Sequence, residues 1–182
     1  MMKFDRAYMS HRMHIAWRGP LIADAIIETL APQVVLDLGC ATGDIAAALL
    51  TRGVTAWGVD SSPDAGECLP WYRMVYCDLK NTAGHLQLLR DALITPVDLA
   101  MLLEVLSVVP DSDRAQILTQ TMACARQLLI NQLHPLDTAL LAANGWHYDH
   151  DVTAQLLELL APQGKKQAVK AIFRTGEIWR KA

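Results

Sequence analysis

No stretch of this 182-residue chain reaches the ~18 uninterrupted apolar residues of a membrane span, so no membrane partner is expected. Residues 1–15 are charged and lack the apolar core of a secretion signal, which makes the cytoplasm the expected compartment. There is no Cys-x-x-Cys pair. Cys40, Cys68, Cys77 and Cys124 are scattered, which argues against a disulfide framework or a zinc site and for reduced thiols. Internal repeats, low-complexity tracts and long linkers are missing as well, as expected of one domain with a sizeable core.

What is present is ordinary globular composition, 52% apolar and 19% charged, with an uneven charge. Residues 1–18 hold Lys3, Arg6, Arg12 and Arg18 against Asp5, a net +3. Residues 163–182 hold Lys165, Lys166, Lys170, Arg174, Arg180 and Lys181 against Glu177, a net +5. The whole chain is −3, so the middle carries −11. Basic ends can meet an anionic substrate or nucleic acid, or can simply be solvated faces.

The most informative run is Val34-Val35-Leu36-Asp37-Leu38-Gly39-Cys40-Ala41-Thr42-Gly43. An apolar strand passes through a glycine turn into a helix, and a second apolar strand ends in Asp60. That is the layout of a nucleotide-binding βαβ unit. Gly39 permits backbone angles and a close ligand approach that a side chain would forbid, and Gly43 lets the helix pack near the strand. Asp60 stands where a carboxylate can accept two hydrogen bonds from a ribose diol. A dinucleotide fold wants Gly-x-Gly-x-x-Gly, but Ala41 and Asp44 occupy the second and third positions. Asp44 at the helix start would repel a pyrophosphate, and Asp37 adds negative charge before the turn. S-adenosylmethionine has no phosphate and carries a sulfonium and an ammonium, so the charges favour it.

On these residues the chain resembles the class I S-adenosylmethionine-dependent methyltransferase family. Asp37-Leu38-Gly39-Cys40-Ala41-Thr42-Gly43 is similar to that family's first motif, commonly Asp-x-Gly-x-Gly-x-Gly, with Ala41 at the middle glycine. Strands are expected at 34–38, 56–59, 72–77, 98–103 and 128–130, alternating with helices at 43–51, 83–94, 110–125, 136–143 and 152–160. Ser61-Ser62-Pro63-Asp64 reads as the start of a short helix. Residues 5–30 read as helical with a break near Gly19-Pro20. A closing hairpin is expected from 167–174 and 178–181, joined at Thr175-Gly176-Glu177. The fold expected is therefore α/β: a Rossmann-like, mostly parallel seven-stranded sheet with helices on both faces and a C-terminal antiparallel hairpin at one edge. Residues 1–30 form an N-terminal helical segment that can lid the cofactor, and 31–182 the methyltransferase domain.

The resemblance implies S-adenosyl-L-methionine as cofactor, S-adenosyl-L-homocysteine as product, and a set of site residues. Asp37 orients the turn and reaches the methionine ammonium. Gly39, Cys40, Ala41 and Gly43 line the turn. Asp60, with Ser61, takes the ribose. Asp78 accepts from the adenine amino group, with Cys77 and Leu79 beside it. Cys40 and Cys77 also read as small packing residues. Glu104-Val105-Leu106-Ser107-Val108-Val109-Pro110 is similar to the family's Glu-Val-Leu-Glu-His-hydrophobic-Pro, so Glu104 faces the methyl group, while Val108 replaces the histidine. His11 and His14, three apart on one helix face, are the candidate general bases, with no third ligand evident for a metal. His134 stands near the pocket mouth. Trp146-His147-Tyr148-Asp149-His150-Asp151 has weak metal-ligand spacing and reads as a polar turn capping the next helix. Asp98 starts its strand at the end away from the site.

No Asn/Asp-Pro-Pro-aromatic run and no Pro-Cys pair follows the fourth strand, which disfavours familiar routes to base methylation. The expected activity is methyl transfer to a small molecule, or to a macromolecule presented to an open face, mainly by proximity and orientation. The alternatives are a nucleic-acid or protein methyltransferase using the basic termini, a non-catalytic cofactor-binding partner subunit, and a dinucleotide oxidoreductase.

Overall fold

Val34–Leu38 is buried at every position, so this strand needs a neighbour on either side and a layer above and below. The computed structural model, which describes residues 7, 9–10, 18–82, 84, 97–151 and 176–181, supplies all of them. In chain order the elements are α1 (Arg18–Leu30), β1 (Val34–Leu38), α2 (Asp44–Thr51), β2 (Thr55–Asp60), β3 (Met74–Tyr76) and β4 (Val97–Leu102). They continue with α3 (Asp111–Met122), β5 (Ala125–Ile130), α4 (Pro135–Ala143), β6 (Trp146–Asp151) and β7 (Glu177–Lys181). The sheet has seven strands in the order β3-β2-β1-β4-β5-β7-β6. The pairs from β3 to β5 are parallel, and β7 runs antiparallel to both β5 and β6.

Side chains alternate across the sheet and build two apolar layers. Leu36 and Leu38 join Ala100, Leu102, Leu118, Leu128 and Trp179 on one face. Val35, Leu99 and Met101 join Met9, Ile22, Ile26, Ile45 and Leu49 on the other. At the lower end of β4, Asp98 Oδ2 accepts from the backbone N–H groups of Gln33 (2.9 Å) and Val34 (3.0 Å). That role is structural and far from the strand ends that carry the site.

Gly19 and Pro20, where the sequence reads a helix break, lie in the first turn of α1. Proline is tolerated there because the missing N–H has no helical partner anyway. Gly19 meets the start of α2 so closely that an added Cβ would stand 2.4 Å from the Asp44 carbonyl oxygen. That atom is backbone and cannot swing aside. Gly19→Ala is expected to cost about 2 kcal/mol of unfolding free energy by urea denaturation. An unchanged midpoint would show that α1 and α2 separate freely.

Three expectations are corrected. Residues 61–70 do not form a helix. Instead Gly66 N–H donates to the Ala41 carbonyl (2.7 Å) and Cys68 N–H to the Thr42 carbonyl (2.9 Å), so the segment is pinned to the glycine turn. Gly66, at φ 79°, also leaves the helical region. Residues 146–151 are strand β6, not a polar turn: Trp146 is buried, and Tyr148 packs edge-on against Trp179 with ring centroids 6.0 Å apart. The final strand β7 pairs with β6 and sits between β5 and β6 rather than at the sheet edge. The expected strand at 167–174, the helix at 152–160, most of the helix at 83–94, and His11 and His14 lie outside the described residues.

Candidate functional site

In parallel α/β sheets the ligand crevice opens at the carboxyl ends of the strands, where the strand order reverses. Here that point lies at β1, flanked by β2 on one side and β4 on the other. The chain leaving β1 turns sharply, with Gly39, Ala41 and Gly43 all in the left-handed region (φ 72°, 50° and 74°). Gly39 N–H donates to the Val59 carbonyl at 2.7 Å, which ties the turn to β2. A Cβ on Gly39 would fall 2.5 Å from a Val105 methyl, so the turn and the loop after β4 close against each other.

Asp60 ends β2 and braces this turn. Its Oδ2 accepts from Ala41 N–H (3.0 Å) and its Oδ1 from Ser62 N–H (2.9 Å). Between these loops lies a cleft of about 120 Å³ that opens to solvent. Gly39, Ala41, Asp60, Ser61, Leu79 and Glu104 line it, together with Leu103, Val105, Val108 and Val109. Six of the sequence-predicted site residues therefore share one cavity wall.

The other predicted residues stand behind or beside it. Asp37 is buried within β1, and Cys40 is buried in the core beneath the turn. Gly43 caps α2, and its Cα faces Leu69, whose Cδ1 lies 2.7 Å from a Cβ built there. Cys77 is buried in the opposite apolar layer. Asp78 caps the short 3-10 turn Leu79–Asn81: its Oδ1 accepts from Lys80 N–H at 2.9 Å, and the Lys80 ammonium lies 3.7 Å away. His134 caps α4 through its own Nδ1. His147 is exposed on β6, and Asp149 there pairs with Arg180 at 3.0 Å. Among the described residues no group of three or more His, Cys, Asp or Glu is placed to hold a metal.

Several participants carry little signal in the sequence. Arg18, counted there only within a basic terminus, is 4% exposed. Its guanidinium lies 3.4 Å from Asp44 Oδ1 and 3.7 Å from Glu104 Oε2. Asn131, at the end of β5, is fully buried and accepts from Glu104 N–H through Oδ1 at 2.6 Å. Arg114 of α3 holds the cleft's outer wall, donating to the Leu106 and Gln132 carbonyls and to Asp137. Most of these contacts join residues far apart in sequence, so no local motif announces them.

The field at the turn is negative. Burial pushes the Cys40 thiol well up, and the charges of Asp37, Asp60 and Asp44 add to the effect. Burial also raises the Cys77 and Cys68 thiols. These cysteines are therefore held as thiols rather than reactive thiolates. The sign of the linkage follows. The fold favours the protonated thiol, so this contribution is complete below an ordinary thiol pKa, about 8.5, and is lost as pH rises above it. The melting temperature is expected to fall more steeply above about pH 8.5 in the unmodified protein than in Cys40→Ala. Parallel slopes in a thermal scan series would remove Cys40 from the effect.

No family model matches the chain, and no curated protein sequence does either. Solved structures do. A TehB-like S-adenosylmethionine-dependent methyltransferase from Corynebacterium glutamicum is 16% identical, with a TM-score of 0.65, over 98% of this chain and 100% of that one. Magnesium protoporphyrin IX methyltransferase from Synechocystis PCC 6803, crystallised with bound S-adenosylmethionine, is 19% identical, with a TM-score of 0.52, over 79% of this chain and 71% of that one. An S-adenosylmethionine-dependent methyltransferase from Archaeoglobus fulgidus is 14% identical, with a TM-score of 0.54, over 97% and 95%. At such identities the likeness speaks to architecture, and the strand order agrees with it: the chain has the Rossmann-like fold of the S-adenosylmethionine-dependent methyltransferases.

Proposed function

We propose that the cleft binds S-adenosyl-L-methionine and that the protein transfers its methyl group to a small-molecule acceptor, releasing S-adenosyl-L-homocysteine. One observation carries this reading. The glycine turn is surrounded by Asp37, Asp44, Asp60 and Glu104, with Arg18 as the cation placed among them. A pyrophosphate would meet that field at a cost, whereas a ligand bearing a sulfonium and an ammonium gains from it. The missing side chain at Gly39 lets Val105 pack against the turn, so the apolar wall closes directly on the charged turn.

In this reading Asp60 accepts from the ribose diol, with Ser61 beside it. Leu79 and Leu103 supply apolar surface for the adenine, and Asp78 is the acceptor for its amino group. Asp37 and Glu104 face the cationic end. When bound, the cofactor supplies an electrophilic methyl on an already activated leaving group, so the residues' task is to position and to desolvate. Val105, Val108 and Val109 form the apolar wall that excludes water. The titratable side chains of the described wall are Asp60 and Glu104. Asp60 holds two backbone N–H groups and Glu104 lies beside Arg18, which suits them to orientation rather than to proton abstraction. His11 and His14 are the proposed bases for acceptors that need one.

Parallel calorimetric titrations with S-adenosylmethionine, S-adenosylhomocysteine and NAD test the proposal. Micromolar binding of both sulfur compounds with none of NAD is the expected result. Binding of neither sulfur compound, or tight binding of NAD, would overturn it.

A further inference from the structure

Outside glycine, the described residues with left-handed backbone are Ala31, Ala41, Glu104 and Gln132. The last three follow β1, β4 and β5 at their carboxyl ends, around the cleft. For a long side chain that conformation is unfavourable, and it persists only where neighbours enforce it. At Glu104 (φ 62°) the neighbour is Asn131, whose Oδ1 accepts from Glu104 N–H at 2.6 Å. Asn131 is 1% exposed, and its Nδ2 is buried without a hydrogen-bond partner among the described residues. An unmet buried donor is unfavourable, and an apolar residue in its place would avoid it. The hydrogen bond that the Asn131 side chain does make goes to Glu104. At the other end of Glu104, Oε2 lies 3.7 Å from the Arg18 guanidinium, which is shared with Asp44.

We propose that Asn131 is a positioning residue that fixes Glu104 in its bend, so that the Glu104 carboxylate stands in the cleft and favours the charged sulfonium cofactor over the neutral thioether left after methyl loss. The inference rests on the cofactor reading given above. S-adenosylmethionine and S-adenosylhomocysteine differ by one methyl group and one positive charge. Contacts to ribose, adenine and the amino-acid end are common to both and cancel in the ratio of their affinities. A correctly placed carboxylate acts on that ratio, whereas a residue that merely supports the fold weakens both ligands alike. The same charge difference gives the cleft a route to product release: the field that holds the cation loses its hold when the charge is gone.

Calorimetry on the full chain with the two ligands decides the matter. Glu104→Gln is expected to weaken S-adenosylmethionine about tenfold while leaving S-adenosylhomocysteine within about twofold. Asn131→Ala is expected to shift the ratio in the same direction by about fivefold, and the double variant no further than Glu104→Gln alone, because both act through one carboxylate. If Asn131→Ala does not fold, Asn131→Ser takes its place, since its hydroxyl is too short to reach Glu104 N–H. Equal weakening of both ligands by the Asn131 variant, or an unmoved ratio, would overturn the proposal. Failure of the unmodified protein to bind either ligand overturns the cofactor reading instead.

Discussion

Replacing Arg114 with methionine is expected to lower the unfolding free energy by about 3–5 kcal/mol, the range for a buried ion pair that loses one partner. Arg114 and Asp137 have side chains only 12% and 5% exposed. Arg114 Nε donates to Asp137 Oδ1 (3.2 Å) and Oδ2 (3.1 Å), and Nη2 donates to Asp137 as well. The same guanidinium donates to the carbonyls of Leu106 and Gln132. Asp137 in turn accepts from His134 N–H at 2.8 Å and so caps α4. One side chain thus fastens the loop after β4, the loop after β5 and the start of α4. Methionine fills much of the space but leaves the Asp137 charge buried with its cation gone. The loss should therefore be partly reversed in Arg114→Met/Asp137→Leu, where no charge is left behind. Urea denaturation of the three proteins reads this directly. A single variant within 1 kcal/mol of the unmodified protein would mean that solvent reaches Asp137 and that the staple is weak. Because the loop it holds carries Val105, Val108 and Val109, the single variant should also bind S-adenosylmethionine more weakly than the unmodified protein.

The parts of this molecule that the sequence discloses are those where local pattern and tertiary demand agree. β1 is an unbroken apolar run because it is buried on both sides, and its end is marked by Gly39, which the left-handed turn needs. The place of Asp60 at the cleft is legible for the same reason, because it closes an apolar strand beside the glycine turn. Where the two demands part, the sequence misleads. Trp146–Asp151 alternates aromatic and polar residues and looks like a turn, yet pairing with β7 makes it the sheet's edge strand. An edge strand half open to water can carry histidine and aspartate that a central strand could not. Ser61-Ser62-Pro63-Asp64 has the composition of a helix start, but Gly66 and Cys68 bind the glycine turn instead, and those tertiary hydrogen bonds win over local capping. Arg18, Arg114 and Asn131 are illegible in another way. Their partners lie 26, 23 and 27 residues away, so the pairing exists only once the sheet has formed.

Asp60→Ala is expected to weaken S-adenosylmethionine binding at least tenfold, about 1.4 kcal/mol, and also to destabilise the protein before any ligand is added. The sequence alone suggests only the first effect. The structure adds the second, because both carboxylate oxygens already accept backbone N–H groups, from Ala41 at 3.0 Å and Ser62 at 2.9 Å. Each oxygen retains a further lone pair, so bracing the turn and accepting from a ribose diol are compatible roles. With alanine, two N–H groups lose their acceptor, at about 1–3 kcal/mol each where water cannot replace it. Ala41 also loses the contact that holds it at φ 50°. The two roles separate in Asp60→Asn, which keeps one accepting oxygen but not the charge or the second acceptor. Its stability should fall between those of the unmodified protein and Asp60→Ala, while its affinity for S-adenosylmethionine stays close to that of the alanine variant. Measured by calorimetry on fully folded protein, an affinity that recovers with asparagine would make Asp60 a brace for the turn and nothing more. An affinity that stays low while stability recovers would place the carboxylate on the ligand itself.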